Sequence, residues 1–304
     1  MTVKATDYIR WCIILPFFII HISVTVFILK KMLKGKFPYR STFFKLYLLV
    51  SVSDIMNVIV PFIGMKMLLI DDLKPWLQAN LWYNRTNYVL SGFSFFNQCI
   101  IHTAIAINRA WNAFFIIPRV SFLTKVGSIG IWFLPIIPLF VLIPRYGAPA
   151  SYFLGADNEI HPKYDNVEIQ VYTSTSASII ILITSTTSLF LAIATIFRYR
   201  YLIYHAKFNQ KMLLDVRLFM QAFLLFIIQL LFAAHYIMVI IAATQKMPSL
   251  QQFALDYYIW INDVFCLLNP IALLVVSKTI RFDFFDFIFS KQMTGISVQV
   301  SSIS

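Results

Sequence analysis

The stretch Phe43-Phe44-Lys45-Leu46-Tyr47-Leu48-Leu49-Val50-Ser51-Val52-Ser53-Asp54-Ile55-Met56-Asn57-Val58-Ile59-Val60-Pro61-Phe62-Ile63-Gly64-Met65 carries two charges, a lysine near its start and an aspartate at its middle. Crossing the hydrocarbon of a bilayer takes roughly 20 residues of helix, so this stretch is long enough to span. Six others of the same kind run approximately from Ile9 to Leu29, Tyr88 to Ile107, Gly127 to Ile143, Ser176 to Phe197, Leu218 to Ala243 and Tyr257 to Ser277. The apolar runs are continuous rather than alternating, which selects helices over a membrane barrel. Pro16, Pro61, Pro135, Pro138 and Pro270 interrupt the spans; membrane helices accept this where a neighbouring helix satisfies the freed carbonyl. With no internal repeat and no long linker, the expected architecture is all-α: a seven-transmembrane bundle forming one domain over residues 1–304.

Composition agrees. Of 304 residues, 60% are hydrophobic, 17% aromatic and only 12% charged. A soluble fold of this length could not bury that much apolar surface. Eight glycines, twelve prolines and three cysteines exclude collagen, low-complexity disorder and a disulfide scaffold. The first apolar run lacks an A-x-A-like cleavage site and is halted by Lys30 and Lys31, so it reads as a retained helix rather than a signal peptide.

The net charge of +12 has a definite distribution. The loops after spans one, three and five, with the tail, hold seventeen basic residues against Asp215, Asp283 and Asp286, whereas the other side balances eight against eight. The positive side faces the cytoplasm, so the N-terminus is expected outside and the C-terminus inside. The surplus marks topology beside an anionic leaflet, not a nucleic-acid surface. Asn84-Arg85-Thr86 is a glycosylation sequon in the loop expected after span two, on the outer side.

Ionisable residues inside a span are costly and mark candidate sites. Asp54 lies about 16 Å into span two, and Asn269-Pro270 about 20 Å into span seven from the other face. The two meet at similar depth, either as an internal switch or cation site or as a static interhelical hydrogen bond. Arg109, with Asn108 before it, falls at the inner boundary of span three. There it either snorkels into water or pairs with a carboxylate or carbonyl on helix six. Asp263 lies in the outer third of span seven and either faces a ligand cavity or reaches water. Asn97, Gln98 and His102 on span three, and Gln229 and His235 on span six, are further polar candidates. Ten serines or threonines among the sixteen residues from Thr173 to Ser188 are expected to bond back to their own helix carbonyls. After span seven, the segment from Phe282 to Phe289 suits a helix lying in the interface. No HExxH, GxSxG, Walker or CxxC motif is present, so no enzyme, metal site or cofactor is expected.

Three groups of residues resemble a known family. They are Phe43-Phe44-Lys45-Leu46-Tyr47 leading to Ser53-Asp54, Ala106-Ile107-Asn108-Arg109, and Leu268-Asn269-Pro270-Ile271-Ala272-Leu273-Leu274 running into Ser277-Lys278-Thr279-Ile280-Arg281. In this order and spacing the chain resembles nematode serpentine chemoreceptors of the Srg superfamily, its gamma or V class, over nearly its whole length. More distantly it is similar to rhodopsin-like receptors, whose helix-two aspartate, helix-three arginine and helix-four tryptophan match Asp54, Arg109 and Trp132. Asn108, Ala110 and Leu273 depart from that pattern. The resemblance implies a G-protein-coupled receptor in the plasma membrane, in the cilia of chemosensory neurons. Its partners would be an environmental small molecule or pheromone and a heterotrimeric G protein. It further implies coupling at Arg109 and Asn108, a switch at Asp54, Asn269 and Pro270, and an outer pocket among helices three, five, six and seven that includes Asn97, His102, His235 and Asp263. A seven-span transporter and a ligand-gated channel are the competing classes.

Overall fold

The structure, a computed structural model, describes all residues except 1–4, 37, 67–70, 115–126, 128, 155–159, 206–222, 225, 236, 239–240, 242–244, 246 and 301–304. Four helices are long and apolar enough to span on their own: α1 (Ala5–Leu33), α2 (Thr42–Pro61, continued by a π turn over Phe62–Lys66), α4 (Leu81–Phe114) and α6 (Val167–His205). Helix α3 (Lys74–Ala79) is a short connector between the second and third. A fifth candidate span is the bent pair α8 (Pro248–Val276) and α9 (Lys278–Val300), which turns through 103° at Ser277.

The expected fourth span is only partly helical in the α sense. A 3-10 segment over Ile131–Ile136 leads into α5 (Ile137–Leu142) and a further 3-10 turn over Ile143–Arg145. Pro135, Pro138 and Pro144 each remove a backbone donor, so a continuous α ladder cannot form there. Of the expected sixth span the described residues include the apolar helix α7 (Phe226–His235), and much of Leu218 to Ala243 lies outside them. The expected start of span three at Tyr88 is corrected to Leu81, because α4 runs on through the sequon and past Arg109 to Phe114.

Helix α4 is the central post, packed against α2 on one side and α6 on the other, while α1 and α2 both pack on α8. One apolar cluster around Phe27, Phe44, Tyr47 and Ile101 fills the end near Lys30 and Lys31, the basic end; a second, around Phe96, Phe232 and Phe265, fills the other half. Ile13, Leu15 and Ile19 of α1, and Leu182, Phe190 and Phe197 of α6, point outward, the arrangement expected where lipid rather than water is the solvent. On the inner face of α6, Ser176, Ser178, Thr184 and Thr195 donate to carbonyls three or four residues back, which satisfies their hydroxyls without a partner helix.

At the basic end, Ser277 adopts an extended backbone and its Oγ accepts the Ile280 amide, so it caps α9 as the chain turns. Helix α9 then lays Phe284 and Phe287 against Phe27 of α1. Tyr39 Oη donates to Asp283 at 2.6 Å. Burial pushes the Tyr39 hydroxyl far above its usual range, and the Asp283 carboxylate adds to this; it stays a donor at every physiological pH. The helix expected over Phe282 to Phe289 is therefore present, fastened to α1.

The opposite end carries a feature that sequence reading missed, an antiparallel hairpin of β1 (Ala150–Leu154) and β2 (Ile160–Tyr164) with Ala150 paired to Tyr164. It rests on α4, where Tyr164 stacks on Tyr88 at 4.5 Å. Nearby, the Arg145 side chain lies across α4 over the ring of Phe96 and donates to the Thr173 carbonyl and Ser176 Oγ of α6. Gly92 makes room for it: an added Cβ would sit 2.5 Å from Arg145 Nη1 and 3.0 Å from Leu142 Cδ2. Gly92→Ala is expected to push the guanidinium off both acceptors and destabilise the fold by about 2 kcal/mol. A thermal melt of the purified protein in detergent reads this as a lowered midpoint.

Candidate functional site: a polar network at the centre of the bundle

Asp54, at the middle of α2, is fully buried, and both its oxygens are used. Gln98 Nε2 of α4 donates to Oδ1 at 2.5 Å, and Asn269 Nδ2 of α8 donates to Oδ2 at 3.2 Å. The expected approach of helices two and seven at this depth is thus a direct hydrogen bond, with a third helix joined to it. From Gln98 the network continues: its Oε1 accepts from Asn57 Nδ2 at 2.8 Å, and Asn57 Oδ1 accepts from Ser94 Oγ at 2.7 Å. Alongside, Asn97 Nδ2 donates to Ser53 Oγ at 2.7 Å. In a low-dielectric interior each bond is stronger than in water, and each unpaired group more costly, so such a network ties its helices to one arrangement.

The prolines explain how α8 enters it. Pro61 has no N–H, so the carbonyl four residues earlier, Asn57 O, loses its helical donor. Asn262 Nδ2 of α8 donates to that carbonyl at 3.0 Å. Pro270 does the same to the carbonyl of Cys266, which faces the buried imidazole of His21 on α1. A backbone defect in each of two helices is thereby converted into a contact with another helix. Asn57, Ser94 and Asn262 were not singled out from sequence. Their signal was spacing: Ser53, Asp54 and Asn57, then Ser94, Asn97 and Gln98, then Asn262, Cys266 and Asn269 each repeat on one helical face.

Arg109 lies toward the basic end of α4 but does not snorkel. Because α4 continues for more than a turn beyond it, the guanidinium does not reach water at a helix end; it is 2% exposed and stacks 3.9 Å above the Phe43 ring of α2. Arginine's planar, weakly hydrated head suits such a site. Asn108 beside it keeps a buried Nδ2 with no hydrogen-bond partner. Arg109 also borders a cavity of ≈ 30 Å³ between α4, α6, Phe223 and α7, space for one or two waters. His102, Ser188, Thr195 and Gln229 supply its polar wall, and Gln229 is held by Thr184 Oγ1 at 3.1 Å.

Among the described residues, packed rings lie between α4, α7 and α8 on the side away from the basic end. Phe232 touches Phe95, Tyr258 and Phe265 with centroid separations of 6.1, 6.0 and 5.2 Å. Of the four pocket candidates, His102 borders the cavity beside Arg109, with its ring 4.8 Å from Phe265. Asn97 is turned toward Ser53, and His235 lies against Tyr258 at 5.1 Å. Asp263 is held across the bundle: Arg10 of α1 grips it from Nε and Nη2 at 2.5 Å. That pair was illegible because Arg10 lies at the margin of the first apolar run, with nothing in the sequence to join it to span seven.

The sequon also needs correction. Asn84 lies on the first turns of α4 rather than on a loop; it is 2% exposed, and its Nδ2 donates to the Ser151 carbonyl of the hairpin at 2.9 Å. Glycosylation requires that nitrogen. The mature protein is expected to carry no glycan at Asn84, so glycosidase treatment should leave its gel mobility unchanged.

A family model described as serpentine type 7TM GPCR chemoreceptor Srv matches residues 8–289. The match is to the V class and replaces both the gamma-class alternative and the broader Srg assignment. No curated protein matches the chain.

Proposed function

Because the chain belongs to the Srv family of serpentine seven-transmembrane GPCR chemoreceptors, we propose that it senses an environmental small molecule or pheromone and signals to a heterotrimeric G protein. The reading takes the chain as one seven-span domain, N-terminus outside, in the plasma membrane of chemosensory cilia. The observation that carries it is the hydrogen-bonded cluster centred on Asp54, which ties α2, α4 and α8 at mid-depth. His102, one turn along α4 from Gln98, borders the cavity beside Arg109, so the two regions share a helix and are one turn apart.

In this account a ligand between α4, α6 and α7 favours one packing of the helices over another. The Asp54–Gln98–Asn269 bonds exchange partners as α8 shifts against α2, and Arg109 leaves the Phe43 ring to engage the G protein. A ligand shifts such an equilibrium only by its differential affinity for the two packings, and polar networks with alternative partners supply the bistability this needs. Arg109 and Asn108 are the coupling residues; Asp54, Asn269 and Pro270 are the switch. The test is nucleotide exchange on a purified heterotrimeric G protein by the reconstituted chain across a panel of small odorants. Exchange driven by at least one compound supports the reading, and ligand flux into liposomes that hold no G protein would replace it with a transporter.

A further inference from the structure

At the end of the bundle opposite Lys30 and Lys31, α3 and the first turn of α4 bring three aromatic rings together. Trp76 comes from α3, and Trp82 and Tyr83 from α4. Their centroids are separated by 6.4 Å (Trp76–Trp82), 5.6 Å (Trp76–Tyr83) and 6.0 Å (Trp82–Tyr83), with interplanar angles of 84°, 71° and 87°. All three pairs are near perpendicular, so the rings stand to one another as three walls meeting at a corner. They are not core: Trp76 is 47% and Trp82 58% exposed.

Hydrogen bonds hold the corner in shape. Asn80, between the two helices, donates from Nδ2 to the Trp76 carbonyl at 2.7 Å and accepts Trp82 Nε1 on Oδ1 at 3.2 Å. Tyr83 Oη donates to the Ile63 carbonyl at 3.1 Å, tying the third wall to the end of α2. The Trp82 indole N–H and the Tyr83 hydroxyl are thus engaged, and the exposed indole surfaces remain for a ligand.

We propose that Trp76, Trp82 and Tyr83 bind the trimethylammonium of a choline-headgroup lipid in the adjacent leaflet. Three rings whose centroids are this far apart leave a point about 4 Å from each of them, inside the range of cation–π attraction. A quaternary ammonium suits the corner better than an ammonium or a metal ion, because it is weakly hydrated and has no N–H left unpaired against carbon. Asp71 and Asp72 precede the rings, but Lys74 and Arg85 match them in number, so the rings rather than net charge must select the ligand. Depth points to a lipid. At 1.5 Å per residue α4 is about 51 Å long against roughly 30 Å of hydrocarbon and 40–45 Å with headgroups. Its second and third residues, Trp82 and Tyr83, therefore fall at the headgroup level or just above it.

The test uses the full-length chain purified from nanodiscs of equal phosphatidylcholine, phosphatidylethanolamine and phosphatidylglycerol, with retained lipids counted by native mass spectrometry. Phosphatidylcholine is expected to be retained about five-fold over phosphatidylethanolamine. Trp76→Leu/Trp82→Leu, which keeps apolar bulk for anchoring, should bring the ratio to parity, and Trp76→Phe/Trp82→Phe should keep most of it. Parity in the wild type, or an undiminished ratio in the leucine variant, overturns the proposal and leaves the rings as a plain interfacial anchor. A second arm adds free choline or its uncharged isostere 3,3-dimethylbutanol. Displacement of the lipid by choline alone supports the site. Equal displacement by both refutes a cation site, and saturable choline binding without lipid preference refutes the lipid as its occupant.

Discussion

Arg109→Ala is expected to abolish receptor signalling while the protein still reaches the cell surface. The side chain is large and buried, stacked on Phe43 and bordering the cavity between α4, α6 and α7. Truncation removes that contact, worth about 1–2 kcal/mol for a desolvated cation–π pair, and leaves a void that the neighbouring Ala106, Ala192 and Thr195 are too small to fill. Some loss of stability follows, but α4 is anchored independently through Gln98 and Ser94, so folding should survive. Signalling should not, because in the proposed mechanism this guanidinium is the group that leaves Phe43 for the G protein. Arg109→Lys is the informative companion: an ammonium keeps the charge but loses the planar stack, so partial signalling with raised basal activity is expected. Second-messenger responses compared at matched surface expression read both variants, and a normal response from Arg109→Ala would remove Arg109 from the coupling role.

The second large effect is at Asp54. Asp54→Leu removes the carboxylate acceptor of both Gln98 Nε2 and Asn269 Nδ2, leaving Gln98 Nε2 the weak Cys266 thiol at 3.6 Å. A buried polar group stripped of its partner costs about 1–3 kcal/mol, although in membrane helices part of this is recovered because the unfolded chain also finds partners. A loss of about 2–4 kcal/mol follows, read as a fall in the detergent melting midpoint and reduced surface expression. Asp54→Asn separates charge from hydrogen bonding. Its amide oxygen still accepts one donor, and the neighbouring amides of Gln98 and Asn269 can rotate to pair with its NH₂. The fold should hold to within about 1 kcal/mol. If Asp54→Asn signals normally, the switch depends on the hydrogen-bond geometry; if it folds but is silent, the negative charge itself is needed.

How far the sequence could be read depended on whether the signal was local. Spans two, three and five are each a single helix with a continuous apolar run, and period and length alone identify them. Span four was legible as apolar but not as broken, because the effect of Pro135, Pro138 and Pro144 depends on whether α4 and the rest of the bundle hold the chain through the defects. Asp54 and Asn269 could be joined by depth, since both are counted from helix ends. Arg10 and Asp263 could not, because Arg10 lies at the margin of the first apolar run, where a charge reads as an ordinary span end rather than as a partner for Asp263. The hairpin was missed because Ala150-Ser151-Tyr152-Phe153-Leu154 is too short to show alternation, and its stability comes from Asn84 and Tyr88 on α4 rather than from its own sequence. The partners of two polar candidates were illegible for a related reason: Asn97 and Asp263 each pair with a residue on another helix, the commoner fate of polar residues on apolar helices, and nothing local in the sequence names that residue.

The central claim is that this chain is a receptor of seven spans with its coupling face, the basic end around Lys30, Lys31 and α9, in the cytoplasm. Epitope tags on the two termini, probed by antibody in intact and then permeabilised cells, test it most directly. The account predicts an N-terminal tag stained in intact cells and a C-terminal tag stained only after permeabilisation. An N-terminal tag that stains only after permeabilisation would contradict it, because Arg109 and the basic loops would then face away from any G protein.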